Sequence, residues 1–162
     1  MSTEPLADDI ESVWDYPRPP RLEPVSERIR VVVDGVTIGD SVRAWRVLET
    51  SHPPVYYLPP EEVRMDLLTS GQGGSVCEWK GAATYHTLVS GDRRIQDVAW
   101  SYERPTPAFV PITSYLAFYP GRVDEAWVGD ERATAQAGGF YGGWITSRIR
   151  GPFKGEPGTL GW

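Results

Sequence analysis

The run Cys77-Glu78-Trp79-Lys80 holds the side chains best suited to chemistry in this sequence. Alternate residues of a strand face opposite sides, so Cys77 and Trp79 share one face and Glu78 and Lys80 share the other. A reactive Cys77 thiolate needs a base or a nearby cation, whereas a lone strand cysteine beside tryptophan is usually a small buried hydrophobe. Glu78 and Lys80 either orient a ligand as a desolvated pair or form an exposed pair worth under ~1 kcal/mol. The sequence leaves both questions open.

Aromatic side chains on neighbouring predicted strands form the second candidate site. The rings are Tyr57, Trp79, Tyr85, Trp100, Tyr102 and Phe118. Ring faces attract flat or cationic ligands, and the alternative is ordinary core packing. We predict a small-molecule pocket between two sheets, lined by Tyr57, Trp79, Trp100 and Tyr102. In this pocket Arg64 and Lys80, with Glu78 beside them, meet an anionic or carbonyl group of the ligand.

Other familiar kinds of site are missing from the sequence. A single cysteine forms neither an internal disulfide nor a Cys-pair zinc site, and His52 and His86 are not spaced as metal ligands. Neither Ser51 nor Ser75 lies in a nucleophile-elbow pattern. The glycines at 71–74 follow a predicted helix rather than a strand, so they do not form a phosphate loop. We therefore expect no metal and no cofactor.

Charge and hydropathy limit the partners. The formal net charge is −6 and no run of five basic residues occurs, so nucleic acid is an unlikely partner on electrostatic grounds. The acidic N-terminus has no apolar core typical of a signal peptide. No apolar run approaches the ~20 residues that a membrane-spanning helix needs. The sequence predicts a cytoplasmic protein without membrane contact.

Turn residues and aromatic residues together favour a mainly β fold. The chain has 17 glycines, 15 prolines and 19 aromatic residues, a composition that suits short strands better than long helices. Alternating apolar residues around Asp34-Gly35 predict a β-hairpin. Pro59-Pro60 followed by two glutamates predicts one short helix near 60–69. About eight short strands then predict antiparallel sheets.

Both ends of the chain differ from its centre. We predict a leader and Pro/aromatic arm over 1–24, a core domain over 25–133, and a Gly/aromatic tail over 134–162 that packs on the core. The arm carries Trp14 and Tyr16, which gives it apolar surface to bury on its own domain or on a neighbour. Exchange of the arms between two chains would produce a homodimer.

Several motifs in the centre resemble one known family. They are RAWRVLETSHPPVYYL from Arg43, EVRMDL from Glu62, CEWKG from Cys77 with Ala83–Tyr85 after it, VAWSY from Val98 and YLAFYP from Tyr115. The core resembles the family catalogued as domain of unknown function 427, and the arms resemble those of its actinobacterial members. The resemblance implies a β-tent-like fold, in which two antiparallel sheets meet at an angle. Other β-tent proteins often hold zinc between cysteine pairs, which this chain lacks. The resemblance implies no activity.

Three functions follow as hypotheses. The first is a small-molecule-binding domain with the aromatic pocket. The second is an enzyme that uses Cys77 for redox or acyl-transfer chemistry. The third is a protein-interaction module that acts through its arms. The sequence does not identify a ligand or a reaction.

Overall fold

The elements of the fold are short strands joined by turns. The computed structural model describes residues 10–70, 80–136 and 142–155 and the backbone of residues 76–77. Its strands are β1 Glu11–Ser12, β2 Arg21–Pro24, β3 Ile29–Val33, β4 Val36–Ser41, β5 Trp45–Leu48, β6 Val55–Tyr57, β7 Leu68–Ser70, β8 Val76–Cys77, β9 Gly81–Ala82, β10 Thr84–Ser90, β11 Arg93–Ser101, β12 Ala117–Phe118, β13 Glu125–Val128, β14 Glu131–Arg132, β15 Thr134–Ala135, β16 Trp144–Ile145 and β17 Ile149–Arg150. Its helical segments are 3-10 turns at Val13–Asp15, Pro60–Glu62, Met65–Leu67 and Pro107–Ile112. None of the helices in these described ranges is long and apolar enough to cross a membrane.

The mainly β fold with antiparallel pairing is confirmed, and the described strands are distributed among more sheets than the predicted two. Two sheets have four strands, in the orders β12-β11-β10-β7 and β14-β13-β3-β4, and a third has the order β2-β5-β6. The pairs β8-β9 and β15-β16 are separate two-stranded ladders, and β1-β17 is a parallel pair. Proline has no backbone N–H to donate, so the many prolines between these strands limit the length of each ladder.

A two-residue turn organises the hairpin β3–β4. Asp34 and Gly35 both have positive φ angles, 51° and 74°, which suits the type I′ turn between antiparallel strands. Val33 pairs with Val36 across the turn. Burial alternates along β3 because successive side chains face opposite sides of the sheet. The hairpin predicted around Asp-Gly is confirmed.

The segment 60–69 forms two 3-10 turns in place of one continuous helix. Between the turns, Val63 has extended dihedral angles and forms a bridge with Gly39 of β4. The backbone N–H of Arg64 also donates to the carbonyl of Ile38, at 2.7 Å. These groups bond to the edge strand β4 and are therefore unavailable to a helix. The difference from the predicted helix is a tertiary effect that local propensity does not contain.

The two ends of the described chain contact each other. Glu11 pairs with Ile149 in the parallel ladder β1–β17, and the Trp14 indole donates to the carbonyl of Pro152 at 2.9 Å. A small apolar cluster joins the arm to Leu48 of β5. Arm and tail therefore lie together on the core within one chain. The exact boundaries at 24 and 133, and a homodimer, stay predictions.

Candidate functional site

Aromatic rings from two different sheets meet in one buried cluster. Its buried members are Val47, Tyr57, Ala83, Trp100, Tyr102, Phe109, Ile112, Ala117 and Tyr119, which we call the aromatic cluster. Tyr57 comes from β6 of the three-stranded sheet. Trp100 lies near the end of β11, and Tyr102 follows that strand directly. The two residues are two positions apart in extended backbone, so their side chains point to the same side.

The register of both sheets places a second ring beside each of the two central rings. Trp45 lies opposite Tyr57 across the β5–β6 pair, and Tyr85 lies opposite Trp100 across β10–β11. Tyr57 and Trp100 are only 1% and 8% exposed, whereas Trp45 and Tyr85 are half-buried. The contact between the sheets therefore has a closed interior and an accessible aromatic margin.

The rings contact one another in the tilted and edge-to-face arrangements that aromatic pairs prefer. The centroids of Tyr57 and Trp100 are 6.2 Å apart with planes at 88°. Trp100 and Tyr119 are 4.6 Å apart at 53°, and Tyr57 and Tyr102 are 6.4 Å apart at 38°. These contacts hold the ring orientations fixed.

Two cationic side chains lie against rings of the aromatic cluster. The Lys80 ammonium is 6.0 Å from the centroid of Phe109. The Arg122 guanidinium is 3.9 Å from the centroid of Tyr119 and donates to the carbonyl of Asp97 at 2.6 Å. Burial, together with the neighbouring Tyr85 hydroxyl, raises the pKa of Tyr119 above its ordinary value of 10. The Tyr119 phenol therefore stays neutral beside the Arg122 guanidinium.

The C-terminal tail covers one edge of the cluster. A Cβ added at Gly142 would lie 2.1 Å from the Cη2 atom of Trp100, so the backbone of the tail rests directly on the indole. The next residue, Gly143, donates its N–H to Gln136 Oε1 at 3.2 Å. Trp144 is fully buried, and its indole donates to the carbonyl of Phe118 at 3.1 Å. Only glycine fits at 142 without displacing the tail or Trp100.

A polar network occupies the opposite face of the same strands. The Ser101 hydroxyl donates to Glu103 at 2.5 Å, so His86 Nε2, 2.8 Å away, must carry the proton that it donates to Ser101. Ser114 also donates to Glu103, at 2.8 Å. Burial lowers the pKa of His86 below its ordinary 6.5. Ser101 has no exposed surface, so this chain of hydrogen bonds joins strands and does not present a nucleophile.

A separate cavity of about 660 Å³ lies where the arm, the tail and the core meet. Its charged lining consists of Glu11, Glu23, Glu27, Arg46, Asp130, Glu131 and Arg148. Arg46 is paired with Glu11 at 2.9 Å and with Glu23 at 2.7 Å, and its hydrogen bonds are the main reason that the pKa of Glu11 is lowered. No three His, Cys, Asp or Glu side chains in the described ranges are placed to hold a metal ion.

The residues predicted from sequence are only partly together. Tyr57, Trp100 and Tyr102 belong to the aromatic cluster, and Lys80 lies against its Phe109 ring. Arg64 forms a pair with Asp66 at 2.8 Å, and half of its side chain is exposed. Its part in a pocket stays a prediction.

The rest of the predicted motif lies largely outside the described residues. Glu78 and Trp79 fall there entirely. For Cys77 the structure gives the backbone, which pairs with Gly81 across β8–β9. The reactivity of Cys77 and the pairing of Glu78 with Lys80 therefore stay predictions.

The structure also adds residues that the sequence did not single out. Phe109 lies in a 3-10 turn with proline on both sides, and Tyr119 follows β12, so neither shows a strand pattern. Phe118, which the sequence grouped with the site, lies in the main core. It faces away from the aromatic cluster because neighbouring residues of a strand point to opposite sides.

Comparison with known proteins identifies a family and no activity. A family model described as "Domain of unknown function (DUF427)" matches residues 21–129. The matched region runs from β2 through β13, so it includes every buried residue of the aromatic cluster and excludes Gly142 and Trp144. A search of curated proteins found no match.

Proposed function

The chain belongs to the domain of unknown function 427 family, and we propose that it is a small-molecule-binding domain that takes a flat ligand at the aromatic cluster. The ligand enters at the half-buried margin formed by Trp45 and Tyr85 and reaches the rings of Tyr57 and Trp100. The proposal assigns no catalysis.

The observation that carries this proposal is the meeting of aromatic pairs from two sheets. A core needs apolar volume, which aliphatic residues supply elsewhere in this protein, as in β3. At this contact the sequence supplies rings with fixed orientations and leaves some of them half-exposed. Ligand sites are concave, rich in aromatic side chains and preformed, with few polar groups at the edge. Lys80 and Arg122 are polar groups of that kind.

Native mass spectrometry of the purified protein without added ligand is the first experiment. Extra mass that is lost on denaturation would support the proposal and identify the ligand. The second experiment does not need the natural ligand. Protein labelled with fluorotryptophan has seven tryptophan signals to follow by fluorine NMR, and naphthamide serves as a flat neutral probe.

We expect naphthamide to shift the Trp100 signal, assigned through Trp100→Phe, in a saturable manner. The matched reference is Trp14, which is 42% exposed and lies in the arm. Equal, unsaturable shifts at both positions would indicate non-specific contact and contradict the proposal. An absence of any shift together with a clean apo mass would also contradict it.

A further inference from the structure

We infer that the ligand of the aromatic cluster is a planar anion, such as an aromatic carboxylate, whose charged group is bound by Lys80. This inference rests on the proposed function and adds the chemical class of the ligand. The neutral ring contacts the aromatic side chains, and the negative group contacts the ammonium beside Phe109.

The first argument is the way in which the protein uses its basic residues. The chain has 14 arginines and only two lysines, Lys80 and Lys154. All ten ion pairs found among the described residues use arginine. Arginine suits fixed, forked pairing with carboxylates, whereas lysine is a compact point charge on a flexible stem. Lys80 thus differs in residue type from the arginines that form these ion pairs, and within the described ranges no carboxylate pairs with it.

The second argument is the position of Lys80. Its carbonyl accepts a hydrogen bond from the N–H of Thr106 at 3.1 Å, and β9 begins at the next residue, so its backbone is fixed. The side chain is half-buried and its ammonium lies against Phe109 of the aromatic cluster. Glu103, which follows β11, already accepts two hydroxyl hydrogen bonds. Among the residues that the structure describes, no carboxylate is paired with the Lys80 ammonium at the edge of the rings.

The third argument is what this charge excludes. A cationic ligand would compete with Lys80 and Arg122 for ring faces and would be repelled by them. The net charge of −6 repels anions from the protein as a whole, but at physiological ionic strength this effect extends only ~8 Å. The Lys80 ammonium, which has no ion pair among the described residues, therefore selects an anion that the rest of the surface would not attract.

The test compares two probes that share one ring system. Naphthoate carries a carboxylate, and naphthamide carries a neutral amide of similar shape. We expect the wild-type protein to bind naphthoate roughly five- to thirtyfold more tightly, since a hydrogen bond to a charged group is stronger than one to a neutral group. Increasing salt should reduce this preference.

The lysine pair provides matched variants. Lys80→Gln should make the two probes bind equally, whereas Lys154→Gln should leave the preference unchanged, since Lys154 lies in the tail where its backbone bonds to Ser51 and Gln136. Lys80→Arg keeps the charge and should keep most of the preference. Near-UV circular dichroism checks that each variant retains the native ring packing.

The outcomes separate the inference from the proposed function. If wild-type protein binds both probes equally, or if Lys80→Gln keeps the preference, the inference is overturned and the aromatic site stands. If neither probe binds, the proposed function fails and the inference fails with it. A preference that disappears with Lys154→Gln would locate the anion in the tail and would also overturn the inference.

Discussion

Replacing Trp144 by phenylalanine should destabilise the protein far more than the same change at Trp14. Both indoles donate to a backbone carbonyl, at 3.1 Å for Trp144 and 2.9 Å for Trp14. They differ in burial, since Trp144 has no exposed surface and Trp14 is 42% exposed. The buried ring also packs against Tyr56, with centroids 5.2 Å apart. The pair therefore isolates burial from hydrogen bonding.

The expected loss of stability follows from the atoms that phenylalanine lacks. Trp144→Phe removes two carbon atoms from a filled space, worth about 1.6 kcal/mol at ~0.8 kcal/mol per carbon-sized group. It also leaves the Phe118 carbonyl without its indole donor, which costs about 1–3 kcal/mol in a buried place. The expected loss is roughly 3–5 kcal/mol of the free energy of unfolding. For Trp14→Phe, where water replaces the donor, we expect under ~1 kcal/mol.

Urea unfolding followed by far-UV circular dichroism measures both losses. A two-state fit with unchanged denaturant slope shows that the free energy of unfolding has changed rather than the unfolded state. In thermal melts the Trp144 variant should unfold roughly 6–20 °C lower, given about 2–4 °C per kcal/mol for a chain of this size. Equal losses for the two variants would refute the reasoning, because they would show that the tail is not part of the core.

Three further predictions concern other positions. Gly142→Ala should lower the free energy of unfolding by about 1–3 kcal/mol, because its Cβ would lie 2.1 Å from Trp100. Thermal melts should show a smaller decrease in melting temperature for the control Gly121→Ala, whose Cβ would meet one atom at 3.0 Å. Burial raises the pKa of Tyr56 to about 12. Its neutral hydroxyl therefore contributes stability below pH ~10, and up to about 2–3 kcal/mol of this is lost as the pH rises toward 12. In urea unfolding, Tyr56→Phe should make the free energy of unfolding less dependent on pH over that range. Burial lowers the pKa of His86. The contribution of neutral His86 to the free energy of unfolding should therefore be fully present above pH ~6.5 and be lost as the pH falls through the lower pKa of the folded state. If His86→Gln loses as much stability in acid as the wild type, another group is responsible.

The local parts of the fold are readable from the sequence. Asp34-Gly35 between alternating apolar residues identifies a hairpin, since turn type and register depend only on neighbouring residues. The segment 60–69 also carries genuine local signals, a proline at the start and two glutamates after it. Its backbone groups nonetheless bond to β4 at Gly39 and Ile38. Such competition depends on where a distant strand lies, which local patterns do not encode.

The candidate site also contains some residues that the sequence predicts and others that only the tertiary structure places there. The sequence indicates Tyr57, Trp100 and Tyr102 because they are aromatic residues on neighbouring predicted strands. Phe109 and Tyr119 lie outside the strands, where side chains do not alternate between two faces. Their place in the aromatic cluster therefore follows only from the tertiary structure. The aromatic residues of the tail predict that it packs on the core. They do not indicate that position 142 in particular must lack a side chain.

The parallel pair β1–β17 has a consequence for the time course of synthesis. Its two strands, around Glu11 and Ile149, are among the first and last described segments to leave a ribosome. At 5–20 residues per second the second strand follows the first by roughly 7–28 s. The hairpin β3–β4 and other local contacts can form during that interval, because contacts close in sequence close fastest. The arm therefore receives its partner strand only after the hairpin and other local contacts have had time to form.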